Sequence, residues 1–302
     1  MTTPTTPDRT VIDTATMPWI NGLDVLANMA PAFRDNLGPR ERVDDLFARY
    51  HRKTLRLDDD TTRRLDLIRV EPGYRDLTNA YHDSVEECLV LEGTVSIDGE
   101  GEFRAGDYFW RPPGYVHAAE TADGFTALLG FQGVDPDEDS EGASRVIRPD
   151  EEAGTNALDG TTEGAFAADT VGPRGWVRCS SGLLPEIPGP VVARHRGPFE
   201  GMDLDRLSVR VLSHNPWTDG QTLLVRLLPG YTESGSAHGT AAYEHVVLEG
   251  SYEIAGEMHG TGTYLQRPAG VVDHPMTSAD GALLYVKLDG TWDRVVAANT
   301  RS

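Results

Sequence analysis

The chain has 302 residues, of which 48 are acidic and 27 basic, a formal charge of −21. A field of that sign repels phosphate backbones and anionic lipid surfaces, which sets nucleic acid and membrane aside as partners. The length and a hydrophobic fraction of 39% leave room for two domains with cores of their own.

No apolar run approaches the length of a membrane-crossing helix. Residues 1–10 are polar and rich in Thr and Pro, unlike a secretory leader. Two cysteines, Cys88 and Cys179, make no disulfide framework and no Cys-x-x-Cys. These features point to a cytoplasmic protein. Lys53 and Lys287 are the only lysines, so Schiff-base chemistry has few candidates. There is no Gly-rich phosphate loop before a helix, no Gly-x-Ser-x-Gly elbow and no zinc-finger spacing, which weighs against nucleotide chemistry and serine hydrolysis.

In chain order, residues 1–59 read as a partly helical N-terminal extension. Stretches 21–35 and 40–52 carry helical spacing, with Val43, Leu46, Phe47 and Tyr50 on one face. Residues 60–134 contain short β-branched or aromatic runs at 65–70, 87–91, 94–97 and 108–111, punctuated by Gly, Pro and Asp. Residues 135–175 are acidic, rich in Gly and Ala, and read as a linker. Residues 176–302 begin with extra strands over 176–219 and continue with runs at 223–228, 245–248, 252–254 and 264–266. Many short strands with regular turns indicate an all-β sandwich or small barrel.

The second set of strands repeats the first. Pro72-Gly73-Tyr74 recurs as Pro229-Gly230-Tyr231, Leu91-Glu92-Gly93 as Leu248-Glu249-Gly250, Arg111-Pro112 as Arg267-Pro268, and Asp123-Gly124 as Asp280-Gly281. All four pairs keep one interval to within a single residue. The chain therefore carries two copies of one module, spanning roughly residues 64–133 and 221–290.

Copy one contains Gly106-x5-Pro112-x-Gly114-x2-His117, preceded by His82-x3-Glu86-x6-Gly93. These motifs resemble the two signatures of the cupin superfamily, and both copies together resemble a bicupin. The Arg-Pro-x-Gly pattern, followed by Asp-Gly and an apolar strand, is most similar to the ChrR-like branch. The resemblance implies two cupin (double-stranded β-helix, jelly-roll) barrels in tandem behind the short helical segment. It also implies one divalent metal inside a barrel, held by His82, Glu86 and His117. The family usually shows His-x-His, and Ala80 stands at the first of these positions, reducing the ligands to three. Two histidines and a carboxylate favour Fe(II), with Zn, Mn or Ni also suited to the open positions.

Copy two departs further, with Gly239 and Tyr243 at the positions of His82 and Glu86. A second, weaker metal site could draw on His238, His245, Asp273 and His274. Candidate catalytic side chains are Tyr81, Cys88 and Tyr115. Cys88 shares the inward face of Glu86 and reads either as a redox-sensitive thiol or as a small core residue. Tyr81 and Tyr115 join Tyr108, Phe109, Trp110, Phe125 and Phe131 in an aromatic set that could wall a pocket. Arg75, Arg104 and Arg111 read as substrate clamps or as solvated surface.

Three functions compete. The first is a metal-dependent bicupin enzyme, a non-haem Fe(II) oxygenase (dioxygenase) of a small organic substrate. The second is a redox-neutral isomerase, lyase or decarboxylase at the same site. The third is a ChrR-like binding or sensing module without catalysis. Cupins commonly pair through edge strands, so a homodimer and an internally paired monomer are both open.

Overall fold

Each repeat folds around one long strand that is bent in the middle. The computed structural model describes residues 9–28, 34, 39–58, 63–77, 80–82, 84–111, 117–131, 144–146, 177–215 and 220–296. In the first repeat the long strand is Glu86–Ile97. Its first half lies between Asp107–Arg111 and Phe125–Phe131, and its second half pairs with Gly101–Arg104 and Ala119–Thr121. In the second repeat Tyr243–Ile254 does the same with Thr263–Arg267, Ala282–Leu288, Glu257–Gly260 and Met276–Ser278. Among the described residues each repeat builds a 10-stranded antiparallel sheet that curls on itself, the jelly-roll expected from the sequence.

The repeated Leu-Glu-Gly and Asp-Gly motifs mark the bend. Gly93 has φ 73°, and a Cβ there would stand 2.1 Å from the carbonyl oxygen of Gly124. Gly250 and Gly281 reproduce the contact at the same 2.1 Å. A side chain cannot enter a gap of that size, so both motifs are needed for the strand to turn from one layer into the other. The inward faces then bury Val90, Val95, Phe103, Phe109 and Ala127 in one core, and Val225, Val247, Tyr252, Leu265 and Leu284 in the other.

Three expectations are redrawn. The helix expected over 40–52 is Arg40–Ala48; Tyr50 instead opens the strand Tyr50–Leu57, drawn out of the helix by its ladder with Arg64–Val70. The boundaries 1–59, 60–134, 135–175 and 176–302 give way to two compact units, Met17–Leu183 and Met1–Thr16 with Leu184–Ser302. The cause is strand pairing. Thr10–Asp13, which precedes the first repeat, joins Thr263–Arg267 of the second. Val177–Ser180, which precedes the second repeat, joins Asp107–Arg111 of the first. Ser144–Val146, inside the expected linker, pairs with Ala80–His82; the rest of 135–175 lies outside the described residues.

Gly93→Ala and Gly99→Ala separate the two costs of the bend. Gly99 also has positive φ, at 74°, but nothing lies within 4 Å of its absent Cβ. Gly99→Ala is expected to cost about 1–2 kcal/mol. Gly93→Ala, with a backbone clash added, is expected to cost on the order of 4 kcal/mol. Equal shifts in urea midpoint would show that the Gly93–Gly124 contact plays no part.

Candidate metal centre

Glu86 opens the long strand of the first barrel, and register decides its neighbours. Its Cα partners are Arg111 on one side and Phe131 on the other. Directly opposed residues project to the same face of a sheet, so all three side chains enter the barrel together. His82 arrives from the short strand Ala80–His82, and His117 from the chain leading to Ala119–Thr121.

The three expected ligands meet. One ligand atom from each of His82, Glu86 and His117 lies within 4.8 Å of the others. His82 Nε2 is 3.6 Å from Glu86 Oε1, and His117 Nε2 is 3.5 Å from Glu86 Oε2. The side chains of His82, Glu86 and His117 are 14%, 8% and 10% exposed, so the site is recessed without being sealed. The His82 ring meets Phe131 edge-on, with centroids 4.8 Å apart. Two imidazoles and a carboxylate on converging strands suit a divalent metal held on one face.

A buried guanidinium fixes the carboxylate. Arg111 Nη1 donates to Glu86 Oε2 at 2.9 Å, and Arg111 Nη2 reaches Glu100 at 3.2 Å. Its Cζ lies 3.8 Å from the centre of the Phe109 ring. Burial alone would raise the Glu86 carboxyl, but His117, His82 and Arg111 outweigh it and hold it at about 2. Glu86 is thus an anion, as ligation requires. Burial raises the Glu100 carboxyl, against the pull of Arg111.

The other expected residues divide. Cys88 does share the inward face, but it packs with Ile68, Val90 and Phe109. Burial, with Glu86 adding to it, pushes its thiol far up, so it stays protonated and acts as a core residue. Tyr81 lies in the strand with His82, and its side chain lies outside the described residues, as does all of Tyr115. Arg75 and Arg104 pair with Glu120 and Glu102 in exposed positions. Arg111 is neither solvated nor free for a substrate; it clamps the protein's own carboxylates. Glu100 was not visible from the motifs. The available signal was the repeated Arg-Pro, which places Arg111 across from Glu86.

The second site does not assemble. Among the described residues His82, Glu86 and His117 form the one metal-type cluster. His238 lies in the strand Ala237–His238. His245 is buried and shares a 2.7 Å hydrogen bond with the Tyr252 hydroxyl. Burial, then His259 and Arg267, lower it to about 3, which keeps it neutral. Asp273 is committed to Arg9 at 2.9 Å, and His274 lies beside it on a cavity wall. With Gly239 and Tyr243 at the two leading ligand positions, no strand delivers the partners these groups would need.

A curled antiparallel barrel built twice in one chain, with this trio inside the first copy, defines a bicupin of the cupin superfamily. The sequence pattern of the ChrR cupin-like domain matches residues 45–133 and 198–291, and the chain belongs to that family. No curated protein matches the sequence. Among solved structures, a candidate dioxygenase from Nostoc punctiforme is 16% identical, with a TM-score of 0.69 over 97% of this chain and 87% of that one. A variant of salicylate 1,2-dioxygenase from Pseudoaminobacter salicylatoxidans is 14% identical, with a TM-score of 0.54 over 93% of this chain and 84% of that one. Protein Ylba from E. coli is 12% identical, with a TM-score of 0.51 over 93% of this chain and 90% of that one. At such identities the likeness establishes the fold. No described helix is long and apolar enough to cross a membrane.

The electrostatics predict a pH signature in metal-free protein. A carboxyl at about 2 in the fold, against an ordinary 4.5, adds stability above 4.5 that fades as pH falls toward 2. The loss is on the order of 3 kcal/mol. The stability gap between wild type and Glu86→Gln should therefore shrink across that window in acid denaturation; a constant gap would refute the ionised Glu86. Arg111→Met leaves two buried carboxylates facing each other and is expected to cost about 3–5 kcal/mol in urea unfolding.

Proposed function

We propose that this protein is a metal-dependent enzyme, a non-haem Fe(II) oxygenase acting on a small organic substrate. The observation that carries the reading is the convergence of His82, Glu86 and His117 within 4.8 Å inside one barrel. Ala80 in place of a fourth ligand leaves more of the metal face open than the full family set would. Bound iron would supply O2 activation and polarisation of a substrate oxygen. The chain's own residues set the stage. His82 and His117 offer neutral nitrogens when deprotonated, and Glu86 offers an anion. Arg111 and Glu100 hold that anion in one orientation, and the Phe131 ring braces His82. The substrate class is a small molecule bearing a hydroxyl, carbonyl or carboxylate able to share the metal. The reading places the protein in the cytoplasm, as a monomer or a homodimer.

The ChrR cupin-like match favours a second reading, a binding or sensing module that holds a metal without catalysis.

Metal analysis separates these. Protein purified without chelator is expected to carry close to one iron per chain, lost in His82→Ala and in His117→Ala. Oxygen uptake with small hydroxy acids or diketones should disappear with it. Zinc, manganese or nickel in place of iron would move the assignment to isomerase, lyase or decarboxylase chemistry. Metal retained in both variants would refute the His82–Glu86–His117 site. Iron without turnover of any substrate would favour the sensing module.

A further inference from the structure

The second barrel has no counterpart of the metal ligands but has an arginine equivalent to Arg111. Arg267 occupies the register position of Arg111, directly across from Tyr243, which stands where Glu86 does. In the first barrel Arg111 is committed to Glu86 and Glu100. Tyr243 offers Arg267 only its ring, with Cζ 5.4 Å from the centre. The guanidinium lies where a side chain at 239 would begin, the position equivalent to His82: its Nη2 is 2.6 Å from where a Cβ on Gly239 would stand. Its Nε is buried without an acceptor, as is that of Arg111; the difference is that among the described residues no carboxylate pairs with Arg267.

Arg267 lines a cavity of about 70 Å³ inside the second barrel. Every acid around that cavity is already committed. Glu233 is 3.2 Å from Arg294 Nη2, and it accepts from the Tyr231 hydroxyl at 3.0 Å and from the Met276 N–H at 3.1 Å. Asp273 is held by Arg9 at 2.9 Å. Asp293 accepts from the N–H and hydroxyl of Thr240 at 2.8 and 2.9 Å. His245 is turned to Tyr252. That leaves one cation with no ion pair among the described residues, the charge of Glu233 acting on it only at longer range, and near it the ring of Tyr243, whose hydroxyl makes no hydrogen bond among the described residues. The rest of the wall is largely apolar, including Leu227, Leu265 and Leu284. Arg267 is half-buried, and a guanidinium is a planar fork that matches a carboxylate.

We propose that the second barrel is a binding site for a short aliphatic carboxylate. Arg267 takes the two carboxylate oxygens, Tyr243 donates to one of them, and the alkyl tail lies against the leucines. The small size of the cavity suits a short alkyl chain. This site needs no metal and is independent of the oxygenase reading.

Full-length, chelator-treated protein would be titrated calorimetrically with butyrate, and with butyramide as the uncharged counterpart of the same shape. Butyrate is expected to bind once per chain, at least about tenfold tighter than butyramide. Arg267→Gln should erase that preference, Arg267→Lys should restore part of it, and His117→Ala should leave it intact. In the wild type, butyrate should also protect Arg267 from phenylglyoxal, read by peptide mapping, so the test survives if a variant misfolds. Equal binding of butyrate and butyramide would overturn the proposal, as would unchanged binding in a folded Arg267→Gln. Loss of binding in His117→Ala would overturn it too, by placing the anion in the first barrel.

Discussion

Arg111 is held out of water between Glu86 and Glu100, and the geometry of the first barrel's site follows from that. A buried guanidinium is tolerated only when its charge is matched and its N–H groups are occupied. Glu86 and Glu100 match the charge and accept from Nη1 and Nη2, and Phe109 covers its face. The arrangement reacts back on Glu86. One of its oxygens is pinned by Arg111, so the carboxylate cannot swing, and its remaining contacts are with His82 and His117. The ligand trio is therefore oriented by the strand ladder and its ion pairs before any metal arrives.

The second barrel shows what becomes of the same scaffold when the anion is removed. Several of its supporting contacts recur. Tyr74 donates to Asp76, which accepts from the Ala119 N–H; Tyr231 donates to Glu233, which accepts from the Met276 N–H. Arg49 reaches the Pro72 carbonyl as Arg206 reaches that of Pro229. At the ligand positions, tyrosine and glycine stand where glutamate and histidine do in the first barrel. Scaffold and chemistry have separated within a single chain.

The fold was legible because its determinants are local. Gly93 and Gly124 sit in repeated motifs, and strands alternate visibly between turns. The ligand trio was legible because its residues stand in the two cupin signatures. What escaped was non-local. Glu100 lies in an ordinary turn, and only the strand register brings it to Arg111. The exchange of Thr10–Asp13 and Val177–Ser180 also left no mark, since a short strand reads the same whichever edge it joins. Tyr50 failed for a related reason: its helical spacing was genuine, but the ladder with Val70 overrode it.

That exchange makes the repeats inseparable in a way their boundaries conceal. Thr10–Asp13 pairs with Gln266 through Thr263, and Val177–Ser180 with Trp110 through Asp107, so the two borrowed strands occupy equivalent edges in equivalent register. Each half of the gene thus encodes a barrel minus one strand, plus the strand its neighbour lacks. Cutting the chain at the midpoint would free two halves, each with a raw edge open to pairing with a stranger. Duplication here has produced a reciprocal dependency: an injury to the first few turns of the polypeptide falls on the barrel that is translated last.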